Sequence, residues 1–245
     1  MPTTYDLHGH RALVTGAARR LGEAFARALA AAGCDVGLHY ATTPADALAA
    51  ELSGSHGIRT VSLQADLADP QAAASLVDRA VEALGAIDLL VNSASIFEPT
   101  AFAGTDLDTW HRHLAVNLTA PFLLSQAFAR LRAGRPGAIV NLLDWRALRP
   151  GADHFAYTIS KAGLAAMTSS LAQALAPSIR VNGLALGAIL PPPGASDADD
   201  APAAAAPLAR WGTLRETTDA LLFLLAGPDF ITGEILHLDG GRHLT

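Results

Sequence analysis

A chain of 245 residues suffices for one well-cored α/β domain, and no break in composition divides it, so a single domain over 1–245 is expected. The hydrophobic fraction of 51% and the mean hydropathy of +0.28 come mostly from Ala and Leu, with no apolar run of membrane-spanning length, so a soluble protein is expected rather than a membrane one. Seventeen Lys and Arg against 23 Asp and Glu give a formal charge of −6 without a basic run that could follow a phosphate backbone, which argues against nucleic acid as a partner.

The start, Met1 to His10, is polar and lacks the apolar core of a secretory signal, and the lone Cys34 cannot make an internal disulfide. A reducing, cytoplasmic setting is expected. From Arg11 a short apolar strand runs to Thr15 and breaks into Gly16-Ala17-Ala18-Arg19-Arg20-Leu21-Gly22 before a helical pattern to Ala32. Strand, glycine turn and helix in that order aim the helix N-terminal N–H groups at the turn, an anion site suited to a pyrophosphate. An ordinary connection with a glycine turn is the plainer alternative.

The second strand, Cys34 to Tyr40, runs through His39 and Tyr40 into Ala41, Thr42 and Thr43. A carboxylate after this strand would hold a ribose 2′-hydroxyl and repel a 2′-phosphate, and none is present. Arg19 offers a positive charge and Thr42 a hydroxyl, which tilts the expected cofactor to NADPH, unless Arg19 is merely a solvated surface residue. A helix over Ala45 to His56 and a strand over Ile58 to Gln64 lead to Asp66-Leu67, where Asp66 could accept from an adenine amino group or cap the next helix. That helix spans Pro70 to Leu84. The fourth strand, Ile87 to Val91, ends in Asn92-Ser93-Ala94-Ser95, small residues that permit a ligand to approach closely. Phe97 follows on a loop at the same sheet edge, either as core or as an aromatic platform.

Thr105 to Arg132 reads as one long helical stretch interrupted by Pro121, which cannot donate the bond due to the carbonyl of Asn117. A water bridging that carbonyl to the ammonium of Lys161 would open a proton path; a kink that serves packing only is the alternative. The fifth strand, Ala138 to Leu143, delivers Asp144, and the next helix carries Tyr157 and Lys161 and stops at Pro177. A tyrosine and a lysine four apart share a helix face, so the ammonium is expected to favour the ionised phenol and let Tyr157 exchange a proton near neutral pH. After a sixth strand, Ile179 to Ala185, the segment from Gly187 to Pro207 is rich in Pro, Ala and Asp and reads as a substrate loop. A helix over Thr217 to Ala226 and a last strand over Ile235 to Leu238 precede Asp239-Gly240-Gly241. The histidines are scattered, and no metal-ligand cluster is expected.

In combination and in order, Thr15-Gly16 with Gly22, Asp66, Asn92-Ser93-Ala94, Asn117, Tyr157 with Lys161, and Asp239-Gly240-Gly241 resemble the short-chain dehydrogenase/reductase family over nearly the whole chain. The resemblance implies a Rossmann-type doubly wound parallel sheet of about seven strands flanked by helices, nicotinamide hydride transfer, and a homotetramer or homodimer. It implies that Tyr157 is the catalytic acid, that Lys161 binds the nicotinamide ribose and tunes Tyr157, and that Asn117 holds a relay water. The cofactor would lie along Gly16, Arg19, Arg20, Leu21, Gly22, His39, Tyr40, Ala41, Thr42, Asp66, Leu67, Asn92, Ser93, Ala94, Tyr157, Lys161 and Gly187.

Four positions depart from the common pattern: Arg20 and Ser95 replace glycines, Asp144 replaces a serine thirteen residues before the tyrosine, and Leu186-Gly187 replaces Pro-Gly. The first three resemble the pteridine reductases and the bacterial dihydromonapterin reductases, as does the closing Asp239-Gly240-Gly241-Arg242-His243-Leu244. Those relatives carry an arginine where this chain has Ala41-Thr42. The expectation is an NADPH-dependent reductase of a dihydropterin, with Phe97 stacked on the bicycle and Arg20 and Ser95 at its polar edge. A desolvated Asp144 would then hold and donate a proton, whereas an ion pair with Arg146 or Arg149 would abolish that role. A ketone or 3-oxoacyl reductase of the same family and a non-catalytic cofactor-binding protein are the alternatives.

Overall fold

A computed structural model of the chain describes residues 5–191 and 201–245. Strands β1 (Arg11–Val14), β2 (Asp35–Tyr40), β3 (Thr60–Gln64), β4 (Leu89–Asn92), β5 (Gly137–Asp144), β6 (Ile179–Leu186) and β7 (Ile235–Leu238) form one parallel sheet in the order β3-β2-β1-β4-β5-β6-β7. The helices are α1 (Arg20–Ala31), α2 (Asp46–His56), α3 (Pro70–Leu84), α4 (Leu107–Leu114), α5 (Ala120–Arg132), α6 (Phe155–Leu175), a short α7 (Ala201–Ala204) and α8 (Leu214–Ala226). The expected single-domain Rossmann-type fold is thus the one found. Among the described residues no helix is long and apolar enough to cross a membrane.

Near-continuous apolar strands are buried on both faces, and the two-residue period sends neighbours to opposite sides. Val14, Val91 and Val140 face one core with Phe25, Leu29 and Leu221, under α1, α2 and α8. Leu13, Leu90 and Ile139 face the other with Leu76, Leu124 and Phe128, under α3, α5 and α6. Winding reverses between β1 and β4, which leaves a crevice beyond their carboxyl ends, where such sheets hold ligands.

Three boundaries differ from the sequence reading for physical reasons. The long helical stretch is broken into α4, a π-helical turn over Ala115–Thr119, and α5. Pro121 lacks the N–H that would continue the ladder, and the chain widens its register at that point. Helix α8 begins at Leu214 rather than Thr217, because Thr213 and Glu216 form a reciprocal capping box. Within the segment expected as a structureless loop from Gly187 to Pro207, Ala201–Ala204 is helical and 192–200 lies outside the described residues.

Candidate active site

The glycine turn after β1 is built for close approach. Gly16 takes φ +68°, and a Cβ on Gly22 would stand 2.0 Å from the Gly16 carbonyl oxygen, so α1 packs against the turn only because Gly22 has no side chain. Thr15 ties this turn to the one after β4: its hydroxyl oxygen accepts the N–H groups of Ser93 at 2.9 Å and Ala94 at 3.0 Å. Asn92 is buried at the end of β4 and donates to Asn141 on β5 at 2.8 Å. The two turns and the N-terminus of α1 pack backbone on backbone, with no room for a Cβ on Gly16 or Gly22, and form a cradle of main chain at the helix start, so the residues present fit a dinucleotide.

Several expected cofactor residues sit differently from their sequence reading. His39 is 1% exposed, so its ring contacts protein rather than ligand. The side chain of Leu67 is buried in the core beneath α3, and Leu21, in the first turn of α1, packs partly against the other core. Asp66 is exposed and caps no helix: it accepts from the Ala68 N–H at 2.9 Å, while Asp69 caps α3 by accepting from Gln71 at 2.8 Å. Gly187 packs on the backbone of Asp239, where a Cβ would come within 2.6 Å of its Cα. Tyr40 is half-buried, and Ala41 and Thr42 are exposed beyond β2, as is Arg19 at the start of α1.

Arg20 stands in the left-handed region at φ +54°, where a side chain costs about 1–2 kcal/mol, and its guanidinium donates to the Pro191 carbonyl at 3.0 Å. In the structure Arg20 therefore fastens the strand-end loop after β6. The Ser95 hydroxyl points to the side-chain oxygen of Asn117 at 3.2 Å. Asn117 is fully engaged: its oxygen also accepts the Ile96 N–H at 2.9 Å, and its amide donates to the Ile96 carbonyl and the Ser160 hydroxyl, each at 3.0 Å. This latch fixes the loop that carries Phe97 against α6.

At the end of β5 the expected trio comes together. The Tyr157 hydroxyl donates to Asp144 Oδ2 at 3.1 Å, and Oδ1 of the same carboxylate accepts the Arg146 N–H at 2.8 Å. Lys161 is buried and donates to the Leu142 carbonyl at 2.7 Å, with its nitrogen 5.8 Å from the Tyr157 ring centre. The expectation that Lys161 would favour the ionised phenol is corrected here. Burial pushes the Tyr157 phenol well above its ordinary value, and the charge and hydrogen bond of Asp144 push the same way, with Arg146 opposing. Burial in turn lowers the Lys161 ammonium to about 8, with Asp144 opposing. The pairing of Asp144 with Arg146 is also present, Nη1 to Oδ1 at 3.6 Å, whereas Arg149 is exposed.

Phe97 is 49% exposed and lies edge-on to Tyr157, ring centres 4.7 Å apart, so it is no core residue. One of its faces is stacked on His154 at 4.1 Å and 10°. His154 escaped the sequence reading, as did Arg146 as a pivot. Arg146 binds Asp153 at 3.0 Å and covers the Trp145 ring at 4.7 Å, and Asp153 in turn holds His154 at 3.0 Å. The signal available was the alternation of charge and ring at Asp144-Trp145-Arg146 and Asp153-His154, but only the turn of the chain closes that ring of contacts. Among the described residues no three His, Cys, Asp or Glu side chains are grouped to hold a metal ion.

The cradle and the Asp144–Tyr157–Phe97 cluster share one edge of the sheet, the arrangement that a dinucleotide-dependent oxidoreductase requires. The chain belongs to the short-chain dehydrogenase/reductase family: the family model described as enoyl-(acyl carrier protein) reductase matches residues 16–243. An L-rhamnose 1-dehydrogenase (NAD(P)(+)) of a Sphingomonas species is 34% identical over 97% of this chain and 98% of its own. A 3-oxoacyl-(acyl-carrier-protein) reductase of a Synechocystis species is 33% identical over 94% and 95%. The crystal structure of FolM alternative dihydrofolate reductase 1 from Brucella canis, complexed with NADP, superposes with a TM-score of 0.92 at 35% identity, covering 98% of this chain and 96% of that one.

Proposed function

We propose that the protein is a cytoplasmic NADPH-dependent reductase of a pterin, taking a dihydropterin toward the tetrahydro state. The observation that carries this reading is the Asp144 carboxylate hydrogen-bonded to the Tyr157 hydroxyl at 3.1 Å, beside the half-exposed ring of Phe97. The likeness to a Brucella protein described as an alternative dihydrofolate reductase supports it. The cradle of Gly16, Gly22, Ser93 and Ala94 would receive the cofactor, with Arg19 and Thr42 beside a 2′-phosphate. NADPH, when bound, supplies the hydride.

The chain's own residues handle the proton. With Asp144 ionised, the phenol of Tyr157 is a poor acid, because its loss of a proton would set two negative charges side by side. A proton placed on the carboxylate would remove that opposition and let Asp144 donate where it now accepts. The pair can then deliver a proton to a ring nitrogen, which a serine hydroxyl in that place would only hydrogen-bond. The Arg146 guanidinium stands 3.6 Å from the carboxylate, beyond hydrogen-bond reach, and is held instead by Asp153 at 3.0 Å, so the ion pair that would abolish the donor role is loose. Replacement of the proton would run through a water between Lys161 and the Asn117 carbonyl at the π-helical turn. One face of the Phe97 ring is taken by His154, so a flat bicycle would use the other.

The specific observation favouring a second reading, reduction of a ketone or 3-oxoacyl thioester, is the similarity to the Synechocystis reductase. NADPH oxidation measured with dihydromonapterin, dihydrobiopterin, dihydrofolate and a 3-oxoacyl thioester separates the two. Turnover of a dihydropterin is the expected result, with a loss of about 100-fold or more in Asp144→Ser, the scale of one positioned proton donor. Turnover of the thioester alone, kept or raised in Asp144→Ser, would sink the pterin reading.

A further inference from the structure

His39 closes β2 beneath the glycine turn, and its ring is spent between two backbone groups. Nδ1 accepts the Gly16 N–H at 3.0 Å, Nε2 lies 3.1 Å from the Ala65 carbonyl, and the His39 carbonyl accepts the Ala17 N–H at 2.8 Å. An N–H facing Nδ1 and a carbonyl facing Nε2 admit one tautomer, with Nδ1 bare and the hydrogen on Nε2. A protonated ring would set a second N–H against the Gly16 N–H, and at 1% exposure it could not turn to water for relief. The first residue of the cradle, held at φ +68°, thus depends on an uncharged imidazole behind it.

We propose that His39 is a positioning residue for the dinucleotide: neutral, it holds the Gly16 turn in the shape that receives the cofactor, and its protonation releases the turn and weakens cofactor binding. The proposal rests on the dinucleotide reading of the cradle and not on any substrate. The charged groups facing the ring are Asp66 beyond β3, which favours protonation, and Arg79 of α3, which donates to the Gln64 carbonyl at 2.8 Å and disfavours it. Burial outweighs both and lowers the imidazole from its ordinary 6.5. The neutral form is the binding form, so affinity is still full at the ordinary value and falls only as the pH drops through the lowered one.

The test is the Kd of NADPH by fluorescence titration between about pH 7.5 and about pH 5 for the wild type, His39→Asn and His39→Leu. Asparagine offers Gly16 an acceptor oxygen that does not titrate, so its affinity should change less with pH; the cofactor's own 2′-phosphate titrates alike in all three and cancels. The wild type is expected to lose more affinity than His39→Asn across the range, by up to about tenfold, the value of one unmade buried hydrogen bond. His39→Leu, which has no acceptor, should bind about tenfold more weakly than the wild type near pH 7.5. Should either variant fail to fold, exchange of the Gly16 amide in the wild type gives a second reading. After correction for the intrinsic rate, protection should drop at the acid end. Parallel Kd curves in wild type and His39→Asn, or Gly16 protection that does not change with pH, would overturn the proposal alone. Binding of neither NADPH nor NADH at any pH would overturn it together with the dinucleotide reading.

Discussion

Asp144 acts on both Tyr157 and Lys161, opposing ionisation of the phenol and supporting the charge of the ammonium, and the second effect is read in the pH dependence. The phenol is pushed above its ordinary value by burial and then by Asp144, so it does not titrate near neutrality. Lys161 does, at about 8, because a buried ammonium is penalised and only Asp144 supports its charge. With pH rising through about 8 the ammonium is lost, and kcat/KM should fall on that limb. In Asp144→Asn the support for the ammonium is gone, so the limb should move to lower pH even as overall activity drops. A pH–rate profile that keeps the same alkaline limb in Asp144→Asn would refute this coupling. The sequence made the spacing of Asp144, Tyr157 and Lys161 legible, because strand end and helix face follow from pattern alone. It did not reveal that the lysine would bond the Leu142 carbonyl or that burial, seconded by the carboxylate, would raise the phenol, since both depend on distances that tertiary packing sets. His39 shows the same limit: its place near the end of β2 was readable, but not that its ring would turn inward.

At the scale of elements, the ends of helices carry the most explicit local chemistry. The capping box at α8 joins Thr213 and Glu216 in both directions, and Arg210 braces the same glutamate at 2.6 Å. Thr-x-x-Glu ahead of an apolar run marks such a start, although the apolar periodicity, which places the helix from Thr217, sets in only after the cap. Glu216→Ala should cost about 1 kcal/mol in chemical denaturation, with the cofactor site untouched; an effect below the error of the midpoint would show the box to be incidental. The entry to α1 is less forgiving. Gly22→Ala sets a methyl carbon 2.0 Å from the Gly16 carbonyl, and backbone has no rotamer by which to escape. The turn must open, so cofactor binding should be lost with a destabilisation of about 3 kcal/mol or more, seen as a lowered urea midpoint. Wild-type affinity in Gly22→Ala would contradict the close packing of turn on helix. Pro121 is the contrasting case: the sequence predicted an interruption, but the π-helical turn that absorbs it depends on how α4 and α5 are both held against the sheet.

Across the whole molecule, the sheet is two windings that meet where β1 lies beside β4. Besides the β1–β4 ladder, the turns of the two halves are linked there by Thr15, which holds Ser93 and Ala94. A dinucleotide seated in the cradle adds contacts across that same seam, so its binding free energy should appear as stability of the entire fold rather than of one loop. A ligand at 100 times its Kd adds about 2.7 kcal/mol, which for a chain of this size raises Tm by roughly 5–10 °C. The choice of cofactor enters through the end of β2, where Ala41 and Thr42 are exposed, no carboxylate follows, and Arg19 stands exposed on the neighbouring turn. On the proposed placement a 2′-phosphate would gain one cation and meet no carboxylate after β2, whereas the ribose 2′-hydroxyl of NADH would find none to hold it. At equal concentration, NADPH should therefore raise Tm more than NADH in differential scanning calorimetry. Arg19→Ala should reduce the NADPH shift and leave the NADH shift unchanged. Equal shifts for the two cofactors, or an NADPH shift insensitive to Arg19→Ala, would remove Arg19 from the site and place the discrimination elsewhere along β2.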